Sequence, residues 1–269
     1  MAGSVTQVIS KPSERQYACT DTSAPKWFRF PGGKAAYYSV KETVCGSNVD
    51  VRFAIVHDTD YAKLDAEENA LKVRNRALRK IKQRVMVLGA DRLLTLTYHD
   101  NMCDLVQAKK DLHKFYQLVK RRYKLWKFVG VAEYQQRGAI HWHLSVKGFQ
   151  DVRYLRECWL CCTGGPGSGN IDVTSRYLRL SPSDRCAKLA DYISKYLGKG
   201  FELEDKPRYS HYYVTSRGLV AETQSYHVYG YDHHDIQDFV KGLLANRGCK
   251  VRTQWWQDEH KERGGGRSW

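Results

Sequence analysis

The sequence predicts an α+β fold, a mostly antiparallel central sheet with helices packed on it. Three observations predict it. Two runs rich in β-branched and aromatic residues, KFVGVAEY (127–134) and AIHWHLSVK (139–147), flank the polar stretch QQRG and read as an antiparallel hairpin. Helical periodicities stand between the strand runs without the regular strand–helix–strand succession of a parallel sheet. The chain has 269 residues, 42% hydrophobic and 27% charged, which is enough apolar material for a core and too much for a disordered chain.

The elements follow in order. Residues 1–60 carry turn signals (Pro12, Pro25, Pro31-Gly32-Gly33) and short runs such as WFRF and VRFAIV, which predict an N-terminal extension of short strands that adds irregularly to the main sheet. In residues 61–87, Leu64, Leu71, Leu78 and Val85 recur every seven positions with Ile81 on the same face, predicting a long helix. RLLTLTY (92–98) reads as a strand. Residues 102–123 read as a helix burying Leu105, Leu112, Phe115, Leu118 and Val119. After the hairpin come a short helix at 151–162, a loop TGGPGSGN, a strand IDVTSRYLRL (171–180), and a helix from Ser183 to Leu197 with SPSD as its cap and Gly198 and Gly200 at its end. HYYVTS (211–216) reads as a strand, 234–245 as a helix, and the end as a basic, Gly-rich tail. The chain thus divides into 1–60, 61–220 and 221–269.

Charge narrows the function. Lys and Arg number 44 against 29 Asp and Glu, a net charge of +15, so the expected partner is a polyanion, nucleic acid before a membrane surface. No apolar run is long enough to span a bilayer, and the N-terminal residues lack a signal-peptide pattern, so a cytoplasmic protein with its eight cysteines as reduced thiols is expected. The helix at 61–87 carries Arg74, Arg76, Arg79 and Lys80 among other cations on its polar faces. Such one-sided charge repels itself unless a polyanion relieves it, so these residues are candidate DNA contacts.

His141 and His143 stand at i and i+2 of one strand and share a face, with Trp142 turned to the other. A hairpin centred on Arg137 sets Glu133 opposite His141, with side chains about 5 Å apart. Two imidazoles and one carboxylate on a rigid sheet suit a divalent cation that keeps positions open for substrate. In DYISKYLGK (191–199), Tyr192 and Tyr196 lie at i and i+4 on one helix face, and Lys195 and Lys199 form a second such pair. Two core-packing aromatics would show the same spacing, as Tyr209 and Tyr213 do in a strand. A phenol, with a pKa near 10, becomes a useful nucleophile when a neighbouring ammonium such as Lys195 favours its phenolate.

These segments together resemble the HUH superfamily of rolling-circle replication initiators from single-stranded DNA phages and plasmids. LLTLTY (93–98) resembles the family's first motif, RGAIHWHLS (137–145) its His-hydrophobic-His motif with Glu133 as the acidic third ligand, and DYISKYLGK its tyrosine motif. The resemblance covers residues 65–220. It implies a core of the RRM or ferredoxin-like kind and a nicking domain at 61–220. It also implies Mg or Mn held by His141, His143 and Glu133, and a tyrosine that cuts single-stranded or hairpin origin DNA to leave a free 3′-OH and a 5′-phosphotyrosyl link. Tyr192 is the first candidate nucleophile and Tyr196 its partner, although single-tyrosine members also place a Lys three positions on. Arg137 and Lys199 join the candidate DNA contacts. GGPGSGN lacks the Gly-Lys-Ser/Thr ending of a P-loop, so host helicase and polymerase are expected partners. A transposase or relaxase remains an alternative, though a relaxase carries its tyrosine near the N-terminus and a third histidine. A non-catalytic DNA-binding protein is the other class. Cys158, Cys161 and Cys162, with Cys186, lack a spaced second pair and read as buried small hydrophobes before zinc ligands. The oligomeric state stays open.

Overall fold

The computed structural model describes residues 5–10, 36–46, 48–57, 66–135, 137–174, 177, 179–201, 213–229 and 233–247. In chain order these form β1 (Val5–Ser10), β2 (Ala36–Cys45), β3 (Asn48–His57), α1 (Ala66–Leu88), β4 (Arg92–Tyr98), α2 (Leu105–Arg122) and β5 (Phe128–Tyr134). They continue as β6 (Ile140–Val146), α3 (Val152–Thr163), β7 (Gly169–Thr174), α4 (Pro182–Phe201), β8 (Val214–Thr215), β9 (Glu222–Tyr229) and α5 (His233–Asn246).

The predicted class is the observed one. The central sheet has the order β7-β4-β6-β5-β8, with every neighbouring pair antiparallel. Strand alternation gives the sheet two apolar faces. Leu94, Leu96, Ile140, Trp142 and Leu144 turn to one side and bury against Phe115 of α2 and Trp159 of α3. Leu93, Val129 and Val131 turn to the other and bury against Ile81 and Val85 of α1 and Leu189, Ile193 and Leu197 of α4. The sheet is therefore the middle of three layers. Caps fix where the helices begin. Asp104 accepts from the amides of Val106 and Gln107, Asp151 from that of Arg153, and Ser181 Oγ from that of Asp184.

α1 runs antiparallel along α4. Lys82 pairs with Asp191 at 2.7 Å, and the Arg74 guanidinium lies against Gly198. The predicted heptad stripe holds at Leu78, Ile81 and Val85 but fails at Leu71, which is 51% exposed; Leu64 lies outside the described residues. The reason is the length of the partner: α4 ends at Phe201, so little of it remains to cover the N-terminal part of α1.

Four other expectations change. The strand over 171–180 is shorter and begins earlier. β7 pairs with β4 from Gly169↔Tyr98 to Thr174↔Leu93, and β4 starts one residue before Leu93, so the chain has nothing further to pair with and turns by Tyr177. α4 runs through Gly198 and Gly200 instead of ending there. HYYVTS contributes only the two residues of β8; His211 and Tyr212 lie outside the described residues. The N-terminal strands do not extend the main sheet. β2 and β3 are ten residues each and form a second sheet, β1-β9-β2-β3, in which β1 is parallel to β9. β9, ETQSYHVY, was not expected. Its alternation buries only Tyr226 and Val228, which meet Val40 of β2 and Ile236 and Val240 of α5. WFRF and the C-terminal tail lie outside the described residues.

Candidate active site

The hairpin register is the one that a turn centred on Arg137 requires: Glu133 pairs with His141 and Val131 with His143. Glu133, His141 and His143 thus share the face that α4 covers, and Trp142, 1% exposed, faces away. The contact itself is diagonal. Glu133 Oε2 lies 2.7 Å from Nε2 of His143, not of its register partner, because a glutamate is long enough to reach the diagonal neighbour. His143 is buried, and its Nδ1 lies 3.3 Å from Oγ1 of Thr95, which stands opposite it on β4. With Glu133 accepting from Nε2–H, Nδ1 is left to accept from the threonine hydroxyl.

His141 is partly buried and accepts at Nδ1 from the side-chain amide of Gln135 at 3.3 Å. Its pKa is held below the usual histidine value, chiefly by desolvation, then by the neighbouring His143 and, less, by Arg137; Glu133 opposes them. The ring is therefore a neutral donor near neutral pH.

α4 brings the tyrosines to this face. The ring of Tyr196 stacks on the imidazole of His143, with centroids 3.9 Å apart and planes 17° from parallel. Tyr196 donates its hydroxyl hydrogen to Tyr192 Oη at 2.7 Å, and the two rings meet edge to face at 5.2 Å. When either phenol ionises, the other can hold its phenolate by that hydrogen bond. Lys195, one turn from Tyr192, is exposed on the same helix.

Two imidazoles and a carboxylate on one rigid face fit a divalent ion by donor chemistry, and a carboxylate oxygen and an imidazole nitrogen already face each other. As they stand these side chains pair with their neighbours. Among the described residues no group of three His, Cys, Asp or Glu is gathered closely enough to hold an ion. The cysteines do not converge either. Cys158 and Cys162 pack in the α2–α3 layer, while Cys186, on the opposite face of the sheet, donates to the carbonyl of Val85. Burial pushes the Cys186 thiol up to about 11.

The candidate DNA contacts are scattered. Arg76, Arg79 and Lys80 are exposed on α1, with Arg79 near Arg52 and Asp50 of β3, whereas Arg74 is half-buried against α4. Arg137 is exposed in the hairpin turn, close enough for its charge to act on His141. Lys199 lies on α4, with its side chain outside the described residues. Arg247, read as a possible backbone contact, instead binds Glu42 at 2.9 and 3.2 Å. Thr95 and Gln135 were missed as site residues. Strand alternation could have found both, since Thr95 lies in the first motif opposite His143 and Gln135 stands two residues after Glu133.

Residues 91–201 match the model of a family described as replication-associated protein ORF2. The matched segment runs from the start of β4 to the end of α4 and holds the histidines, the glutamate and both tyrosines. Neither the curated proteins nor the solved structures give a significant match. The match supports a replication initiator with DNA as its partner, and no described helix is long and apolar enough to cross a membrane.

Proposed function

From that match, we propose that the protein is an HUH-type initiator that nicks and rejoins single-stranded origin DNA through a tyrosine on α4. The observation that carries this reading is the stack of Tyr196 on His143, with Glu133 on the far nitrogen of that imidazole and Tyr192 one hydrogen bond from Tyr196. Core-packing tyrosines have no need of a polar histidine–carboxylate pair beneath them.

His141, His143 and Glu133 would hold a divalent ion, Mg or Mn, which when bound withdraws charge from the scissile phosphate. Gln135 and Thr95 orient the two imidazoles by their Nδ1 atoms. Tyr192 Oη attacks phosphorus and forms an O–P bond. The bond from phosphorus to the 3′ oxygen breaks, that oxygen takes a proton, and the phenol proton leaves to solvent. One phosphodiester is exchanged for another, so the step needs no nucleotide hydrolysis. Tyr196 supports the Tyr192 phenolate and is the candidate for the second transfer; Lys195 offers a cation to the phosphate charge. The free 3′-OH primes synthesis, with host helicase and polymerase as the proposed partners.

The test incubates the protein with single-stranded fragments of its own replicon and manganese, followed by a denaturing gel and peptide mass mapping. A covalent adduct on Tyr192, lost in chelator and in Tyr192→Phe, is the expected result. Binding without cleavage of any fragment would leave a DNA-binding module with no nuclease activity.

A further inference from the structure

A second basic surface lies on the other side of the central sheet. α2, the segment between α2 and β5, and the strand end at β8 enclose an open cleft of about 740 Å³, within the range of ligand clefts. Its aromatic wall is Tyr116, Trp126 and Phe128, in mutual contact at 5.5 to 6.0 Å between ring centroids. Trp126 and Phe128 belong to the α2–α3 core layer, so the cleft is separated from His143 and Tyr196 by the sheet itself.

Five cations line it: Lys109, Lys120, Lys124, Lys127 and Arg217. Among the described residues that line it, none is acidic. Lys120 Nζ sits 5.4 Å from the centre of the Tyr116 ring. Leu125, between Lys124 and Lys127, is 91% exposed. Cations gathered at one cleft without a counter-charge repel each other, and a polyanion removes that cost. The apolar component separates two kinds of polyanion. Duplex DNA already has its base faces stacked and gains little from Leu125 and Tyr116, whereas a single strand has unstacked faces to cover.

We propose that this cleft binds a segment of single-stranded DNA, its phosphates on the lysines and Arg217 and its bases against Tyr116 and Leu125. It is a second strand-holding surface, on the face of the sheet opposite the histidine–tyrosine site. It holds DNA without any metal or tyrosine chemistry and stands independently of the nicking reading.

The experiment follows fluorescein-labelled oligo(dT) binding to the full chain by anisotropy, in chelator, over a salt series. Wild type is compared with Lys124→Ala/Lys127→Ala/Arg217→Ala, three exposed side chains, with far-UV circular dichroism confirming the fold. The expected result is a fall of about 2 in the salt slope, at about 0.7 per phosphate contact on a single strand, and affinity about tenfold weaker at low salt. In a second measurement, oligo(dT) carrying 4-thiothymidine is photocrosslinked to the unmodified chain, and crosslinks are expected within residues 116–128 or 214–217. Unchanged affinity and slope, or crosslinks confined to α1 and α4, overturn the proposal. So does a variant that keeps oligo(dT) but loses poly-L-glutamate, which would mark a surface for an acidic protein.

Discussion

Tyr196 joins the two halves of the candidate site, its ring on His143 and its hydroxyl on Tyr192. If Tyr192 is the attacking group, Tyr192→Phe abolishes the first adduct. Tyr196→Phe keeps it but slows its formation about 10- to 100-fold, the worth of one hydrogen bond to a charged group; single-turnover cleavage distinguishes the two. Adduct formed on Tyr196 in the wild type would reverse the roles. His141 gives a pH prediction. Its folded-state pKa lies below the unfolded value near 6.5, so the unfolded chain binds more protons as the medium becomes acidic. Its contribution is then whole above pH 6.5 and is lost as pH falls from there toward the lowered folded value. The groups that set this are His143, Arg137 and Glu133. Thermal midpoints of His141→Gln are expected to fall less steeply than those of wild type over that interval, and parallel curves would contradict it.

At the scale of the element, α4 sets the distance between its tyrosines and the sheet, and α1 clamps it from behind. Two glycines show how differently the chain uses the same residue. Gly198 is helical, and a methyl group there would meet nothing nearer than the Arg74 guanidinium at 3.8 Å. Gly198→Ala should therefore stabilise by about 0.5–1 kcal/mol, the helix-propensity difference. Gly169 opens β7 where a Cβ would stand 2.7 Å from the carbonyl oxygen of Thr97 and from Trp159 Nε1, whose N–H donates to that same carbonyl. Gly169→Ala must move backbone or break that bond, at a cost of about 1–3 kcal/mol. Urea midpoints of the two variants should shift in opposite directions.

At the scale of the molecule, the second sheet ties the ends of the described chain together. β1 and β9 pair side by side, and α5 closes over the sheet through Ile236 and Val240. Glu42 on β2 is buried, accepts from Tyr226 at 3.3 Å, and receives two hydrogen bonds from Arg247 just beyond α5. Removing the arginine leaves a carboxylate in the interior with one phenol for company. Arg247→Ala is expected to cost about 2–4 kcal/mol, somewhat below the full penalty for an orphaned buried charge because the arginine side chain is 45% exposed. Replacing Glu42 and Arg247 together by methionine should recover most of the loss. If the double variant is no more stable than Arg247→Ala, the pair is not what fastens α5 to this sheet.

The central sheet and its helices were legible from the sequence because their signals are local. The periods of α2, β5 and β6, the caps of α3 and α4, and the Glu133–His141 register each depend on a few neighbouring residues and on the geometry of one turn. The second sheet was not legible in that way. β9 lies far along the chain from the strands it pairs with, and its polar run makes sense only when Val40 and α5 are set against it. The same limit holds at the site. Spacing put two tyrosines on one helix face and two histidines on one strand face, but nothing in either motif says that the faces meet. That Tyr196 rests on His143, that Arg247 serves Glu42 and not DNA, and that five cations gather beside Tyr116 are results of packing. Each depends on which surfaces the sheet leaves for a helix to cover, and a linear pattern carries no record of that.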